Sequence, residues 1–293
     1  MPPTRPELPQ VWTIRDIIQW GKEFFTARGI DDARRNIEMM VCAVLDVRRI
    51  ELYTDHERPL SKQQLADLKA MVQRRISREP LQYILGKADF YGSTYIVNPA
   101  VLIPRPETEI LVERVARLCN AHPEHQYRCV DIGTGSGCIP LAVILHTSNT
   151  TWTALDFSQE ALNTAEQNAL LLNAGSRCNM QLCDILSSIP AGAPFDIVTM
   201  NPPYIAASEM GQLEPELKDH EPLSALTDQG DGLAFYRRII EIFDAIVAPG
   251  GYLFLEIGHG QQADVENIAA SKGYVTTAIL DLAGIPRVVV VER

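Results

Sequence analysis

The feature that most constrains the fold is a regular alternation of strand and helix patterns from residue 127 onward. Apolar strand patterns are predicted at residues 127–131, 151–156, 180–183, 195–200, 252–257, 274–280 and 287–292. Helical patterns lie between the earlier strands, notably at residues 158–173 and 233–247. Only a short Gly-Pro loop separates the last two strands, so they must pair antiparallel, because a parallel return needs a crossover. The sequence therefore predicts an α/β fold with a doubly wound, mostly parallel seven-stranded sheet, closed by an antiparallel C-terminal hairpin.

The first eighty residues follow a different pattern, with helical periodicity and no strand. Thr13 with Asp16, and Ser61 with Gln64, are spaced as helix-capping boxes. A second helix is expected to begin at Asp31 or Asp32. We therefore expect a small all-α domain at residues 1–80, a β-hairpin linker at residues 81–105 and the α/β domain at residues 106–293.

Composition favours an ordinary globular protein of the cytoplasm. The 293 residues are 46% hydrophobic and 22% charged, which argues against disorder. The formal net charge of -11 does not favour direct nucleic-acid binding. None of the six cysteines forms a C-x-x-C pair, so we expect reduced core residues and no metal site. With no signal peptide and no apolar stretch long enough to span a bilayer, we expect a soluble monomer that does not bind membranes.

A glycine-rich turn follows the strand pattern at residues 127–131 and opens a helix. Its expected ligand-binding residues are Asp131, Gly133, Thr134, Gly135, Ser136 and Gly137. Glycines allow a tight turn and close approach of a ligand to the backbone. The G-x-G-x-G spacing differs from the dinucleotide fingerprint, and the Asp131 carboxylate would repel a pyrophosphate. Asp131 suits a cationic ligand instead, and S-adenosylmethionine carries an ammonium and a sulfonium without a phosphate.

Two further aspartates end the next strand patterns. A carboxylate at Asp156 can accept hydrogen bonds from both hydroxyls of a ribose. Asp184, followed by Ile185, could reach an adenine amino group. These residues extend the predicted cofactor site along successive strand ends.

The tetrapeptide Asn201-Pro202-Pro203-Tyr204 directly follows the buried strand pattern at residues 195–200. Two adjacent prolines stop the strand and hold the motif on a stiff turn at the sheet edge where ligands bind. The Asn201 carboxamide oxygen and the Pro202 carbonyl can accept both hydrogens of a planar NH2 group, and the Tyr204 ring can cover its flat face. We therefore expect Asn201, Pro202 and Tyr204 to be catalytic and the whole tetrapeptide to bind substrate. Asn201 is also expected to contact the cofactor.

With these motifs in view, the chain resembles the class I S-adenosylmethionine-dependent methyltransferases. Within them it is similar to the HemK/PrmC family, the peptide chain release factor glutamine methyltransferases. Further stretches carry the same resemblance, at residues 103–109, 221–226, 255–258 and 281–287. It covers the chain well from Pro80 onward and only loosely in the helical domain. Ile185 departs from members that carry an aromatic residue there.

The resemblance implies a substrate and a reaction. The expected partner is a class 1 peptide chain release factor, whose Gly-Gly-Gln glutamine becomes N5-methylglutamine while the cofactor becomes S-adenosyl-L-homocysteine. It also implies that the helical domain docks this protein and that Arg105 belongs to the substrate site. Two alternatives remain open at this point: an adenine N6- or other amino-group nucleic-acid methyltransferase, and a non-catalytic S-adenosylmethionine-binding module.

Overall fold

The structure is a computed structural model that describes residues 11–292. The chain divides into two compact units, the first ending at Leu85 and the second beginning at Gly86. Each unit has its own hydrophobic core. Within the described residues, no helix combines the length and apolar character that crossing a membrane would require.

The first unit is all-helical. Its helices are α1 (Ile14–Thr26), α2 (Ala33–Leu45), α3 (Glu51–Thr54), α4 (Lys62–Ile76) and α5 (Leu81–Leu85). Both expected capping boxes are present at the starts of α1 and α4, with each cap side chain and its partner bonded reciprocally. Helix α2 follows Asp32, which adopts a left-handed backbone and makes no side-chain cap.

The second unit begins with an antiparallel hairpin, β1 (Lys87–Phe90) and β2 (Ser93–Ile96). Strands of the main sheet then alternate with helices in the following order. They are α6 (Thr108–Ala121), β3 (Tyr127–Ile132), α7 (Cys138–His146), β4 (Thr150–Asp156), α8 (Gln159–Leu171), β5 (Cys178–Leu182), β6 (Phe195–Met200), α9 (Pro215–His220), α10 (Leu223–Leu226), α11 (Ala234–Glu241), α12 (Phe243–Ile246), β7 (Val247–Glu256), α13 (Gln262–Ala270), β8 (Val275–Leu280) and β9 (Pro286–Glu292).

The main sheet confirms the predicted fold class. Its seven strands lie in the order β5-β4-β3-β6-β7-β9-β8, and the first five are parallel to one another. The last strand, β9, pairs antiparallel with both β7 and β8. Because the strand order reverses between β3 and β6, this pair marks the switch point where ligands bind in open α/β sheets.

Strand β7 begins earlier than the sequence pattern indicates. It starts at Val247, whereas the pattern predicts residue 252, because Pro249, Gly250 and Gly251 interrupt the apolar run. Gly251 is needed there, since a Cβ would lie 2.7 Å from the carbonyl oxygen of Asp196 on the neighbouring strand. The single helix predicted at residues 233–247 is two short helices, α11 and α12, because strand β7 begins directly after Ile246.

Candidate active site

The strand ends at the switch point border two adjoining cavities. The register pairs Ile132 with Met200, so the glycine turn after β3 and the Asn201 motif after β6 begin side by side. The larger cavity, of about 330 Å³, is lined by Gly133, Thr134, Gly135, Ser136, Asp156, Asn201 and Pro203, among others. The second, of about 280 Å³, adds Asp184, Ile185 and Pro202. Most of the predicted site residues therefore meet at one edge of the sheet.

The glycine turn needs its glycines for two different reasons. Gly133 and Gly135 have φ angles of +71° and +55°, and a Cβ added at either would meet nothing within 4 Å. Gly137, at φ +77°, instead packs against helices, where a Cβ would lie 3.1 Å from Leu141 and 3.2 Å from Ala165. The first two glycines thus give an open cradle of backbone, and the third allows close helix packing.

Asp131 lies beneath this turn and lines neither cavity. Its Oδ1 accepts a hydrogen bond of 2.7 Å from the Thr199 hydroxyl on β6. Its Oδ2 is buried and has no hydrogen-bond partner among the described residues, and the same holds for the hydroxyls of Thr134 and Ser136. Burial raises the pKa of Asp131 to about 7. Unpaired polar atoms around an open cradle fit a site for a polar, positively charged ligand.

Asp156, the last residue of β4, holds the glycine turn in place. Its Oδ2 accepts a 2.9 Å hydrogen bond from the Gly135 amide, and its Oδ1 accepts one of 3.0 Å from the Ser158 amide. Burial raises its pKa. A carboxylate has about four lone-pair sites, so two remain for a ligand. The next residue, Phe157, is 57% exposed and lines both cavities, which offers an apolar face beside the carboxylate.

Asp184 follows β5 and is largely engaged in its own turn. It accepts hydrogen bonds from the Leu186 amide and the Ser187 hydroxyl, both at 3.0 Å. Ile185 is buried, and both residues line the smaller cavity together with Phe157. This cavity is accordingly apolar on its walls, with a carboxylate at its rim.

Asn201 faces both cavities with its carboxamide in a defined orientation. Its Nδ2 donates a 3.3 Å hydrogen bond to the hydroxyl of Thr108, the first residue of α6. The amide nitrogen is thereby turned into the protein, and the Oδ1 atom remains to accept a hydrogen bond from a ligand.

Tyr204 lies away from the cavities and lines neither of them. Its carbonyl oxygen accepts a 2.9 Å hydrogen bond from Gln261, and its ring packs against Gly258, where a Cβ would be 3.0 Å from Cδ2. Gly232, at φ +76°, approaches so closely that a Cβ would lie 2.2 Å from the Tyr204 carbonyl oxygen. Burial raises the pKa of the Tyr204 hydroxyl to about 12. Tyr204 therefore fixes the end of the motif from within the core.

Arg105 lines the larger cavity and forms an ion pair with Glu221. The guanidinium lies 2.5 Å from Glu221 Oε1, and the Glu221 side chain is only 1% exposed. Among the described residues that line this cavity, Arg105 is the only lysine or arginine. The pair joins the segment before α6 to the loop that follows the Asn201 motif, so it braces two walls of the same cavity.

Three residues at this site escaped the sequence reasoning. Thr108 and Glu256 flank Asn201, and Asn168 on α8 ties the Ser136 carbonyl at 2.9 Å to the backbone of β2. Glu256 ends strand β7 beside the other strand-end residues. The same rule that singled out Asp131 and Asp156 could have found Glu256, whereas nothing local marks Thr108 or Asn168.

Comparison with known proteins agrees with this geometry. A family model described as the PrmC N-terminal domain matches residues 16–86, and one described as the methyltransferase small domain matches residues 106–217. Proteins named release factor glutamine methyltransferase match nearly the whole chain. The one from Geobacter sulfurreducens is 35% identical over 97% of this chain and 98% of its own, and the one from Bacillus subtilis is 34% identical over 94% and 96%.

Solved structures show the same architecture. The hMettl16 catalytic domain aligns with a TM-score of 0.54 at 16% identity, covering 80% of this chain and 84% of that one. A release factor-specific protein-(glutamine-N5) methyltransferase from Alicyclobacillus acidocaldarius is 31% identical, with a TM-score of 0.43, over 68% of this chain and all of that one. Given identities above 30% along almost its full length, the chain belongs to the release factor glutamine methyltransferase family.

Proposed function

We propose that this protein transfers a methyl group from S-adenosylmethionine to the side-chain amide nitrogen of the Gly-Gly-Gln glutamine in class 1 peptide chain release factors. The observation that carries the proposal is the orientation of Asn201, whose oxygen faces the cavity because its nitrogen is bonded to Thr108. The names and coverage of the relatives supply the substrate class.

The cofactor fits the residues around the glycine turn. The open cradle at Gly133 and Gly135 accepts a ligand against the backbone, and the unpaired Asp131 and Thr134 oxygens suit a cationic, hydrogen-bonding group. Asp156 would hold the ribose hydroxyls, while Asp184 and Ile185 would border the adenine. When bound, the cofactor supplies an electrophilic methyl group on its sulfonium.

The chain's own task is to place and activate a poor nucleophile. A carboxamide nitrogen has its lone pair delocalised into the carbonyl, so in-line placement is the main source of rate. Acceptance of both N–H hydrogens by Asn201 Oδ1 and the Pro202 carbonyl favours a pyramidal nitrogen with its lone pair free. These hydrogen bonds strengthen as positive charge develops on the nitrogen, which stabilises the transition state more than the ground state.

The other site residues act on the shape of the site. Pro203 lines both cavities, and the paired prolines keep the acceptors on a stiff turn. Tyr204 anchors that turn from the core side. The methylated nitrogen loses its proton readily, so the reaction does not require a strong base. Docking of the release factor falls to the helical unit, whose sequence matches the PrmC N-terminal domain.

The test is the intact mass of a class 1 release factor after incubation with the protein and S-adenosylmethionine. We expect a gain of one methyl group, and none when the Gly-Gly-Gln glutamine is replaced by asparagine. A release factor that gains nothing, or one that gains a methyl at another residue, would contradict the proposal. Methylation of DNA or RNA under the same conditions would favour the nucleic-acid alternative instead.

A further inference from the structure

The amide of Asn201 needs something besides Thr108 to define its orientation. A threonine hydroxyl can both donate and accept, so on its own it would serve either face of the Asn201 carboxamide equally well. If the hydroxyl donated to Oδ1, the amide would turn and present its NH2 group to the substrate. A fixed acceptor behind Thr108 is therefore required if Asn201 is to present only its oxygen.

Glu256 occupies that place. The register pairs Met200 on β6 with Leu255 on β7, so the next residue of each strand, Asn201 and Glu256, leave the sheet side by side. The backbone of Glu256 is fixed by a 2.8 Å hydrogen bond from the Tyr236 hydroxyl to its carbonyl oxygen. Its side chain points inward, since the residue is only 2% exposed.

The contacts of the Glu256 carboxyl match this place. Burial raises its pKa to about 7, and hydrogen bonding from Thr108 and Asn201 lowers it only in part. The charged neighbours Glu107 and Arg287 oppose each other in their effect on it. Its Oε2 atom is buried without a hydrogen-bond partner among the described residues. A buried carboxyl with an unpaired oxygen costs stability, and structure alone does not account for it.

We infer that Glu256 is a positioning residue that fixes the Asn201 carboxamide through Thr108. An ionised carboxylate only accepts, so the Thr108 hydroxyl must donate to it and offer its lone pair to Asn201 Nδ2. Asn201 Oδ1 is then the atom that faces the substrate. The inference rests on the proposed function, because it concerns the acceptor for the glutamine NH2 group.

The experiment compares three substitutions in the full chain. Glu256→Leu removes the acceptor, Glu256→Gln retains a carbonyl oxygen of the same reach, and Glu124→Leu is the matched control. Glu124 is exposed over 75% of its side chain and lies just before β3, at the opposite edge of the sheet. Each variant is assayed for kcat/KM on the release factor and for S-adenosylhomocysteine binding by calorimetry.

We expect Glu256→Leu to lower kcat/KM by about tenfold to a hundredfold, because Asn201 is no longer held in one orientation. Its affinity for S-adenosylhomocysteine should stay within about threefold of the wild type, which also shows that the variant folds. Glu256→Gln should recover most of the lost kcat/KM, and Glu124→Leu should match the wild type.

A second readout distinguishes orientation from general structural support. A release factor with glutamate in place of the target glutamine offers a carboxylate, which the wild-type acceptors repel. In Glu256→Leu, a turned Asn201 offers its NH2 group, so this glutamate protein should become a stronger competitive inhibitor. The pair Thr108→Val and Thr108→Ser repeats the comparison without disturbing Glu256, with loss expected only for valine.

The outcomes separate the two proposals. An active wild type whose Glu256→Leu variant keeps its kcat/KM and its discrimination against the glutamate protein would overturn the positioning role alone. Equal losses in Glu256→Gln and Glu256→Leu would also overturn it. A wild-type protein that methylates no release factor would overturn the proposed function, and this inference with it.

Discussion

Replacement of Asp131 by asparagine should raise stability and weaken cofactor binding at the same time. The change keeps the shape of the side chain and the acceptor for the Thr199 hydroxyl, which lies 2.7 Å from Oδ1. It removes only the buried negative charge, whose other oxygen has no partner among the described residues. A carboxylate kept for structure would give a loss of stability instead.

The stability gain follows from the pKa. Burial raises the pKa of Asp131 from 3.8 to about 7, a difference of about three pH units. Between these values the folded state holds a proton that the unfolded state has lost, so the free energy of unfolding falls as pH rises. Each pH unit corresponds to about 1.4 kcal/mol, so ionised Asp131 costs the wild type up to about 4 kcal/mol above pH 7.

The assay is urea unfolding of wild type and Asp131→Asn from pH 4 to pH 8, without cofactor. The two proteins should be nearly equal at pH 4, and the variant should be the more stable by up to about 4 kcal/mol at pH 8. Glu256 titrates over a similar range in both proteins, so its effect cancels in the difference.

Calorimetry at pH 7.5 measures the other half of the prediction. Loss of a charge-assisted interaction of about 1.5–3 kcal/mol should weaken S-adenosylhomocysteine binding by about tenfold or more. An Asp131→Asn protein that is less stable at pH 8 and binds the ligand as tightly as wild type would refute the reasoning.

Three further substitutions test other parts of the site. Asp156→Ala should weaken S-adenosylmethionine binding by about 1–3 kcal/mol, measured by calorimetry, because the ribose hydroxyls and the Gly135 amide lose their acceptor. Gly232→Ala should lower the free energy of unfolding by about 1–3 kcal/mol in urea, since the φ of +76° and the nearby Tyr204 carbonyl leave no room for a Cβ; an unchanged midpoint would contradict this. Arg105→Met should destabilise by about 3–5 kcal/mol because Glu221 stays buried without its partner, and adding Glu221→Gln should restore most of that loss if the ion pair is the cause.

Strand ends are where the sequence was most informative. The glycine turn, Asp156 and Asn201 each follow a strong apolar pattern, and parallel strands end at one edge of a sheet, so their meeting was predictable. The turn's order of glycines also distinguishes it from a dinucleotide site. These are local signals, and each needs only a few neighbouring residues.

Contacts between distant segments were not predictable in this way. Asn201 meets Thr108 across 93 positions, and Arg105 meets Glu221 across 116. Such pairs depend on how α6 and the loop after the Asn201 motif pack against the sheet, which no local pattern encodes. Tyr204 illustrates the same limit, because its aromatic ring suggested a substrate contact while the structure packs it against Gly258 in the core.

The most direct test of the account compares wild type and Asn201→Ala in single-turnover methylation of a class 1 release factor, with S-adenosylmethionine affinity measured on the same preparations. The account predicts that the methyl-transfer rate of the variant falls by about a hundredfold or more while the cofactor affinity changes little, because the acceptor acts in the transition state. A variant that transfers the methyl group at a rate close to wild type would contradict the central claim that Asn201 binds and activates the glutamine amide.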